Sequence, residues 1–295
     1  MAFNFVKIRL TIILKENVPD PYAFFAIKGM ALHDAIRQAI VCTRNSCDSC
    51  KKKECPGSVG FSQSLATDPT AVRRYQKPSF PFVFDVPVIP PSPNKGSQCF
   101  VCLTLLGAAA FHCPVYLTAL RILFTNGSLG VFAEVIKTET TGYDHTTYEI
   151  GADGTNELII LSDQGLVESR CLSYSEISIN FLSPLRLLQQ GSPVQVLSPS
   201  LLLRSLMRRI SSLAYYFGEV ELEADFKWLS ERAAQISWKD GSFRWVSWGR
   251  SISGLVGGGV LVGDLTEFHY FLQLGEYFNV GKGAAYGVGN FTLGE

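Results

Sequence analysis

The sequence predicts an α+β fold of two consecutive βαββαβ units, and three observations carry that expectation. Each half contains a stretch of apolar/polar alternation, the mark of a half-buried strand, within residues 6–14 and 176–182. Each of these is followed by a turn and then a helical run, with further strand-like and helical runs in the same order behind it. Finally, 295 residues that are 47% hydrophobic and 18% charged are enough for two separate cores.

In the first half, Val6, Ile8, Leu10, Ile12 and Leu14 alternate with Lys7, Arg9 and Thr11, giving a strand whose polar face carries two cations. Asn17-Val18-Pro19-Asp20-Pro21 breaks it, and residues 22–41 follow without proline as a helix weakened only by Gly29. Proline and aromatic residues in 77–93 suit an edge strand with an irregular connection. Residues 100–106 resume the sheet, 108–124 form a second helix interrupted by Pro114, and 127–138 return as a strand.

The second half repeats the plan. Ile177, Ile179 and Phe181 alternate with Ser178 and Asn180, and a helix over 201–217 follows. A strand region at 235–248 contains a turn at Lys239-Asp240-Gly241; 254–262 is a strand, 265–278 a helix and 284–293 the closing strand. Two tandem ferredoxin-like domains result, 1–172 with a four-cysteine insertion and 173–295 ending in a glycine-rich loop. The repeat is architectural, with no shared sequence. Helices on one sheet face leave an open face or groove for a ligand.

Lys plus Arg equal Asp plus Glu at 26 each, so an anionic partner must be attracted by a local patch. Residues 1–14 lack an uninterrupted apolar core, so a cytoplasmic location is expected. His112, Pro114 and Arg121 divide the apolar stretch 101–124, which reads as buried core and not as a membrane span. Eight cysteines in a reducing compartment point to metal before disulfides. Cys42, Cys47, Cys50 and Cys55 form a compact run of soft ligands suited to a structural zinc, or to an iron–sulfur cluster, with four free thiols as the alternative. Cys99, Cys102, Cys113 and Cys171 sit in apolar or mixed surroundings and are assigned no function.

The sharpest local signal is Gly281-Lys282-Gly283-Ala284-Ala285-Tyr286-Gly287-Val288-Gly289. Glycines permit positive φ and close approach, so successive N–H groups can turn toward a phosphate while Lys282 adds a charge. An ordinary glycine-rich turn is the alternative. The spacing is neither that of a nucleotide P-loop nor that of a dinucleotide fingerprint. On the helix at 201–217, Leu202, Leu206, Ile210, Leu213 and Phe217 share one face, and Arg204, Arg208, Ser211 and Tyr215 the opposite one. That second face suits phosphates and a stacked base, or is simply solvated. Arg244, Trp245, Trp248 and Arg250 form a weaker basic-aromatic patch, where burial of the tryptophans is the simpler reading.

The segment Leu274-Gly275-Glu276-Tyr277-Phe278-Asn279-Val280-Gly281-Lys282-Gly283, with Gly287-Val288-Gly289, resembles the C-terminal signature of CRISPR-associated repeat-RNA processing endoribonucleases of the RAMP superfamily. Phe181-Leu182-Ser183-Pro184-Leu185-Arg186, Arg208-Arg209, Gly254-Leu255-Val256-Gly257 and Gly263-Asp264-Leu265 look like successive blocks of that family. Leu105-Leu106-Gly107-Ala108-Ala109 is a looser match in the first half. The resemblance implies metal-independent cleavage of CRISPR repeat RNA, in which the 2′-hydroxyl attacks the adjacent phosphorus to leave a 2′,3′-cyclic phosphate and a 5′-hydroxyl. It also implies contact of RNA with Gly281, Lys282, Gly283, Gly287, Gly289, Arg204 and Arg208, and other CRISPR effector subunits as partners.

Such a reaction needs a proton acceptor, a proton donor and a cation for the crowded phosphorus, and histidine is the best base near neutral pH. Of four histidines, His33 lies on the first helix, where family members place a catalytic one, with Arg37 one turn away on the same face. Tyr22 precedes that helix and is the candidate to orient the nucleophile or the phosphate. His145, in a loop, is the runner-up; His112 and His269 read as structural. Two other functions compete: a RAMP-type RNA-binding subunit without cleavage, and a metal-dependent nuclease, for which no carboxylate cluster is evident.

Overall fold

The computed structural model describes residues 3–18, 20, 22–26, 29–43, 52, 54–68, 76–86, 94–127, 131–151, 158–249 and 252–294. The chain forms two compact units, an N-terminal one of Asn4–Ala66 and Phe80–Leu161, and a C-terminal one of Met1–Phe3, Thr67–Ser79 and Ser162–Glu295. The division therefore differs from a single cut at 172. Long-range ties explain why Thr67–Ser79 sits with the second unit: the Tyr216 hydroxyl donates to the Gln76 carbonyl at 3.0 Å, and Arg209 Nη1 donates to Ser79 Oγ at 3.2 Å.

In the N-terminal unit β1 (Asn4–Leu14) leads to a 3₁₀ turn (Ala23–Ala26), α1 (Gly29–Ala39), the short α2 (Pro56–Phe61), β2 (Phe82–Asp85), β3 (Gln98–Leu106), α3 (Cys113–Thr125), β4 (Ala133–Thr141) and β5 (Thr147–Glu149). The sheet order is β2-β3-β1-β4-β5, so the first four strands have ferredoxin-like topology and β5 extends the edge. Phe5, Ile8, Leu10 and Ile12 of β1 are fully buried. Lys7 and Arg9 on its other face lie 3.7 Å from Asp85 and 3.9 Å from Glu139, so carboxylates already neutralise these two cations.

Pro114 does not interrupt the second helix. It lies in the first turn of α3, where a missing N–H costs nothing. The apolar stretch read as core is core: Tyr116, Leu117, Leu120 and Phe124 of α3 are inaccessible to solvent. Gly107–Thr125 is long and apolar enough to cross a membrane by composition, but it comprises a 3₁₀ turn and this helix, which packs on α1.

The chain passes through β6 (Leu161–Ser162) into α4 (Asp163–Glu168), β7 (Glu176–Leu185), the small hairpin β8 (Leu188–Gln189) and β9 (Ser192–Pro193), α5 (Pro199–Gly218), α6 (Phe226–Ala233), β10 (Ser237–Trp248), β11 (Ile252–Val262), α7 (His269–Phe278) and β12 (Phe291–Gly294). The sheet order β10-β11-β7-β12 repeats the ferredoxin-like arrangement. Ser198 caps α5 by accepting from the Leu201 amide at 3.3 Å, and Pro199 pre-sets its first turn. Leu202, Leu206, Ile210 and Leu213 bury its apolar face as the periodicity predicts. Ser211 departs from that pattern: it is buried and its hydroxyl donates back to the Met207 carbonyl at 2.6 Å, so it is absent from the cationic face. A Cβ on Gly275 would come within 2.4 Å of Leu206 and 2.8 Å of Phe291, so the glycine is what lets α7 sit this close to α5 and β12.

The turn expected at Lys239-Asp240-Gly241 is instead a β-bulge inside one long strand. Register slips between Lys239 and Ser242, and Asp240 takes φ of 55°. A positive φ serves a bulge as well as a turn, which is why local sequence misplaces the reversal. The hairpin closes after Trp248, beginning at Gly249 with φ of 57°.

Candidate nucleic-acid interface

The glycine-rich segment follows α7 and is held from beneath by a buried polar network. Asn279 Nδ2 donates to the Ala284 carbonyl, and Asn290 Nδ2 donates to Asn279 Oδ1, both at 3.1 Å. Ser183 Oγ donates to the Gly287 carbonyl at 2.7 Å and accepts from the Asn290 amide at 2.8 Å. The loop's own amides are engaged as well. Lys282 N–H donates to the Arg186 carbonyl at 2.8 Å, Gly289 N–H to Pro184 at 3.1 Å, and Tyr286 N–H to Gly283 at 2.8 Å.

The expected row of amides turned toward a phosphate is therefore corrected: these donors close the loop on itself and on β7. The glycines act through conformation, with φ of 92° at Gly281, 88° at Gly283, 87° at Gly287 and 71° at Gly289. Gly287 and Gly289 are buried, and a Cβ on Gly289 would meet the Val280 carbonyl oxygen at 1.9 Å. The Gly281-Lys282-Gly283 tip reaches the surface, with Lys282 and Gly283 exposed and Tyr286 half-buried behind it.

Next to that tip, wholly within the C-terminal unit, lies a cleft of about 250 Å³ lined by Arg186, Ser205, Arg208, Arg209 and Lys282, with Gln76 and Ser79 on another wall. Among the described residues none of these four cations, nor Arg204, has an ion-pair partner, whereas Lys7, Arg9, Lys15, Lys137, Arg170, Arg232 and Lys239 all do. Uncompensated positive charge in a concave site focuses the local field on anions despite a net charge of zero. Arg208 is exposed; Arg204, also exposed, lies one turn earlier on α5 and donates from Nε to the Ser200 carbonyl at 3.2 Å, outside the cleft lining. Arg186 and Arg209 escaped the helical-face reading because one lies past the end of β7 and the other a hundred degrees round α5 from Arg208. The doubled arginine and the Pro-Leu-Arg end of the strand were the available signals.

In the N-terminal unit His33 and Arg37 occupy successive turns of α1, both half-buried, and the His33 ring lies 4.7 Å from that of Phe61. Tyr22 is half-buried in the turn before the 3₁₀ segment, its amide donating to Asp20 Oδ1 at 2.9 Å. His145 is exposed in a loop with φ of 61°. His269, read as structural, is half-exposed and stacks on Tyr174 at 5.2 Å with Nε2 3.1 Å from the Ser173 carbonyl oxygen. Trp245 and Trp248 are half-buried on β10, and Arg250 lies outside the described residues.

Of the four-cysteine run, Cys42 and Cys55 are half-buried, and Cys55 Sγ accepts from the Ser58 amide at 3.4 Å, capping α2. Cys47 and Cys50 lie outside the described residues, and among the described residues no three His, Cys, Asp or Glu side chains gather as a metal site. The expectation of zinc or an iron–sulfur cluster has no support from these residues. Burial pushes the Cys99 and Cys102 thiols up to about 11 and that of Cys113 to about 12. These three are expected to resist iodoacetamide at pH 8 in the native protein while exposed Cys171 reacts, as peptide mass mapping would show.

Two tandem ferredoxin-like units, the second ending in a glycine loop beside a cleft whose cations have no ion-pair partner among the described residues, place the protein among tandem ferredoxin-like folds. A family profile described as CRISPR-associated endoribonuclease Cas6 matches residues 179–291, and one described as an N-terminal domain matches 3–150. Residues 179–291 belong, by this match, to the family of CRISPR-associated Cas6 endoribonucleases. No curated protein matches it significantly. Among solved structures, a chain of a partial Cas6-RT-Cas1–Cas2 complex is 14% identical with a TM-score of 0.61, covering 99% of this chain and 46% of that one. This chain thus spans about half the length of that relative. A Cas6 product complex is 15% identical with a TM-score of 0.60, covering 98% and 99%. Thermus thermophilus Cas6 is 13% identical with a TM-score of 0.55, covering 99% of each chain. At these identities the likeness is one of fold.

Proposed function

We propose that the protein is a metal-independent endoribonuclease that cuts CRISPR repeat RNA in the cytoplasm, releasing guide RNA with a 2′,3′-cyclic phosphate and a 5′-hydroxyl. The observation that carries the RNA part is the cleft whose four cations lack carboxylate partners among the described residues, next to the exposed Lys282 tip. Arg204, Arg208 and Lys282 meet backbone phosphates; Gly281 and Gly283 let the strand approach closely, and Gly287 and Gly289 hold the tip in shape. Cleavage is assigned to His33, which accepts the 2′-hydroxyl proton as the 2′-oxygen bonds to phosphorus and the bond to the 5′-oxygen breaks. Arg37 stabilises charge on the phosphoryl oxygens, and Tyr22 orients the nucleophile. Repeat RNA and further CRISPR proteins are the partners, in keeping with the solved Cas6-RT-Cas1–Cas2 complex.

The packing of His33 against Phe61 favours a second reading, an RNA-binding subunit that does not cut. Incubation of the purified protein with a repeat RNA in EDTA separates the two. The nuclease cuts at one position and is blocked by a 2′-deoxy nucleotide there, whereas the binding subunit shifts the RNA without cutting. Lys282→Ala should weaken binding uniformly across RNA sequences and flatten the dependence of log K on log salt by about one unit, read by filter binding at several salt concentrations. An unchanged slope would remove Lys282 from the interface.

A further inference from the structure

The floor of the cleft contains groups that the RNA contacts assigned above do not use. Arg209 is tied at two points, Nε donating to the Phe278 carbonyl at 2.7 Å and Nη1 to Ser79 Oγ at 3.2 Å, yet its Nη2 is closed off from solvent with no hydrogen-bond partner. Arg186 Nε, in the same cleft, is in the same condition. Buried guanidinium nitrogens without acceptors are costly, and no carboxylate among the described residues pairs with either side chain. Burial pushes the Arg209 guanidinium down to about 10, the direction expected when a cation is desolvated without a counter-charge.

A purely structural role for Arg209 explains its bonds to Phe278 and Ser79. It does not explain the unmet Nη2 or the unmet Nε of Arg186 in the same cleft. Ser79 adds to the case. It accepts from Arg209, so its own O–H remains to donate, and it comes from a segment of the first half of the sequence that belongs to the C-terminal unit. The main chain of Arg186 also fixes the surface tip, since its carbonyl accepts from the Lys282 amide at 2.8 Å. Tip and floor are therefore set by one residue.

We propose that Arg186, Arg209 and the Ser79 hydroxyl form a single-phosphate subsite that takes one backbone phosphate of a bound RNA strand. Two planar guanidinium forks and a hydroxyl suit the tetrahedral oxygens of a phosphodiester, and the anion supplies the counter-charge that the protein withholds. The source of the phosphate rests on the RNA reading above; the anion site itself does not.

The test compares wild type, Arg186→Gln, Arg209→Lys and the remote exposed control Lys227→Gln. Inorganic phosphate is exchanged for chloride at constant ionic strength and the unfolding midpoint is followed. Phosphate should raise the midpoint of wild type and Lys227→Gln, and should have less than about a third of that effect on Arg186→Gln, with Arg209→Lys between them. Arg186→Gln should be as stable as wild type without phosphate, so folding loss is not confused with ligand loss. On repeat RNA it should weaken binding about tenfold near 0.15 M salt and lower the salt slope by about one unit. Equal phosphate protection of wild type and both arginine variants overturns the subsite. A wild type protected by phosphate through Arg186 but unable to bind any repeat RNA overturns the RNA reading and keeps the anion site.

Discussion

His33→Ala is expected to abolish detectable cutting of repeat RNA while leaving affinity for the uncut RNA within about twofold of wild type. Removing a general base lowers a rate by roughly 10²–10⁴, and no other side chain of matching basicity stands on the same face of α1. Arg37, one turn away, is too basic to accept a proton at neutral pH, so it cannot substitute. Binding should survive because the cleft lined by Arg186, Arg208, Arg209 and Lys282 lies in the C-terminal unit, and α1 belongs to the other. Single-turnover cleavage in EDTA, with binding measured on a 2′-deoxy-blocked RNA, reads both quantities. Equal rates in the two proteins would leave His33 as a packing partner of Phe61 and nothing more.

The largest effect on stability is expected at Gly289. Alanine there must adopt φ of 71°, and its Cβ would fall 1.9 Å from the Val280 carbonyl oxygen, which itself belongs to a backbone that cannot swing away. Val280 N–H donates to the Gly289 carbonyl and Gly289 N–H to Pro184, so relieving the clash breaks a two-bond clamp beneath the tip. Left-handed strain and lost hydrogen bonds together predict a loss of roughly 3–5 kcal/mol in urea unfolding. Gly283→Ala, where the nearest neighbour is a Val288 methyl at 3.2 Å, should cost less by at least half that amount. A Gly289→Ala protein as stable as wild type would show that the loop is held by something other than this close approach.

Both ferredoxin-like units were legible because their strands alternate and their helices keep a single apolar stripe; β1 buries Ile8, Leu10 and Ile12 and α5 buries Leu202, Leu206, Ile210 and Leu213 as predicted, while Thr11 and Ser211 are buried against the prediction. Errors came where two local geometries need the same residue types. Asp240-Gly241 satisfies a bulge as readily as a turn, and Pro114 opens a helix as readily as it breaks one. The site was half legible. A glycine-rich run signals positive φ, but sequence cannot say whether the amides face outward or fold back on carbonyls such as those of Arg186 and Pro184. Nor can helical periodicity find a cleft built by convergence. Arg186, Arg209 and Ser79 come from three separated stretches, and only the folded chain brings them together.

That convergence bears on how the molecule is made. Ser79 leaves the ribosome long before Arg209, which follows 130 positions later. Once Leu161 has emerged the N-terminal unit has all its residues, whereas Gln76 and Ser79 still lack their partners on α5. Completion of the cleft floor thus waits for Arg209 of α5 and for the Phe278 carbonyl that holds it, so the two units cannot mature at the same moment of synthesis.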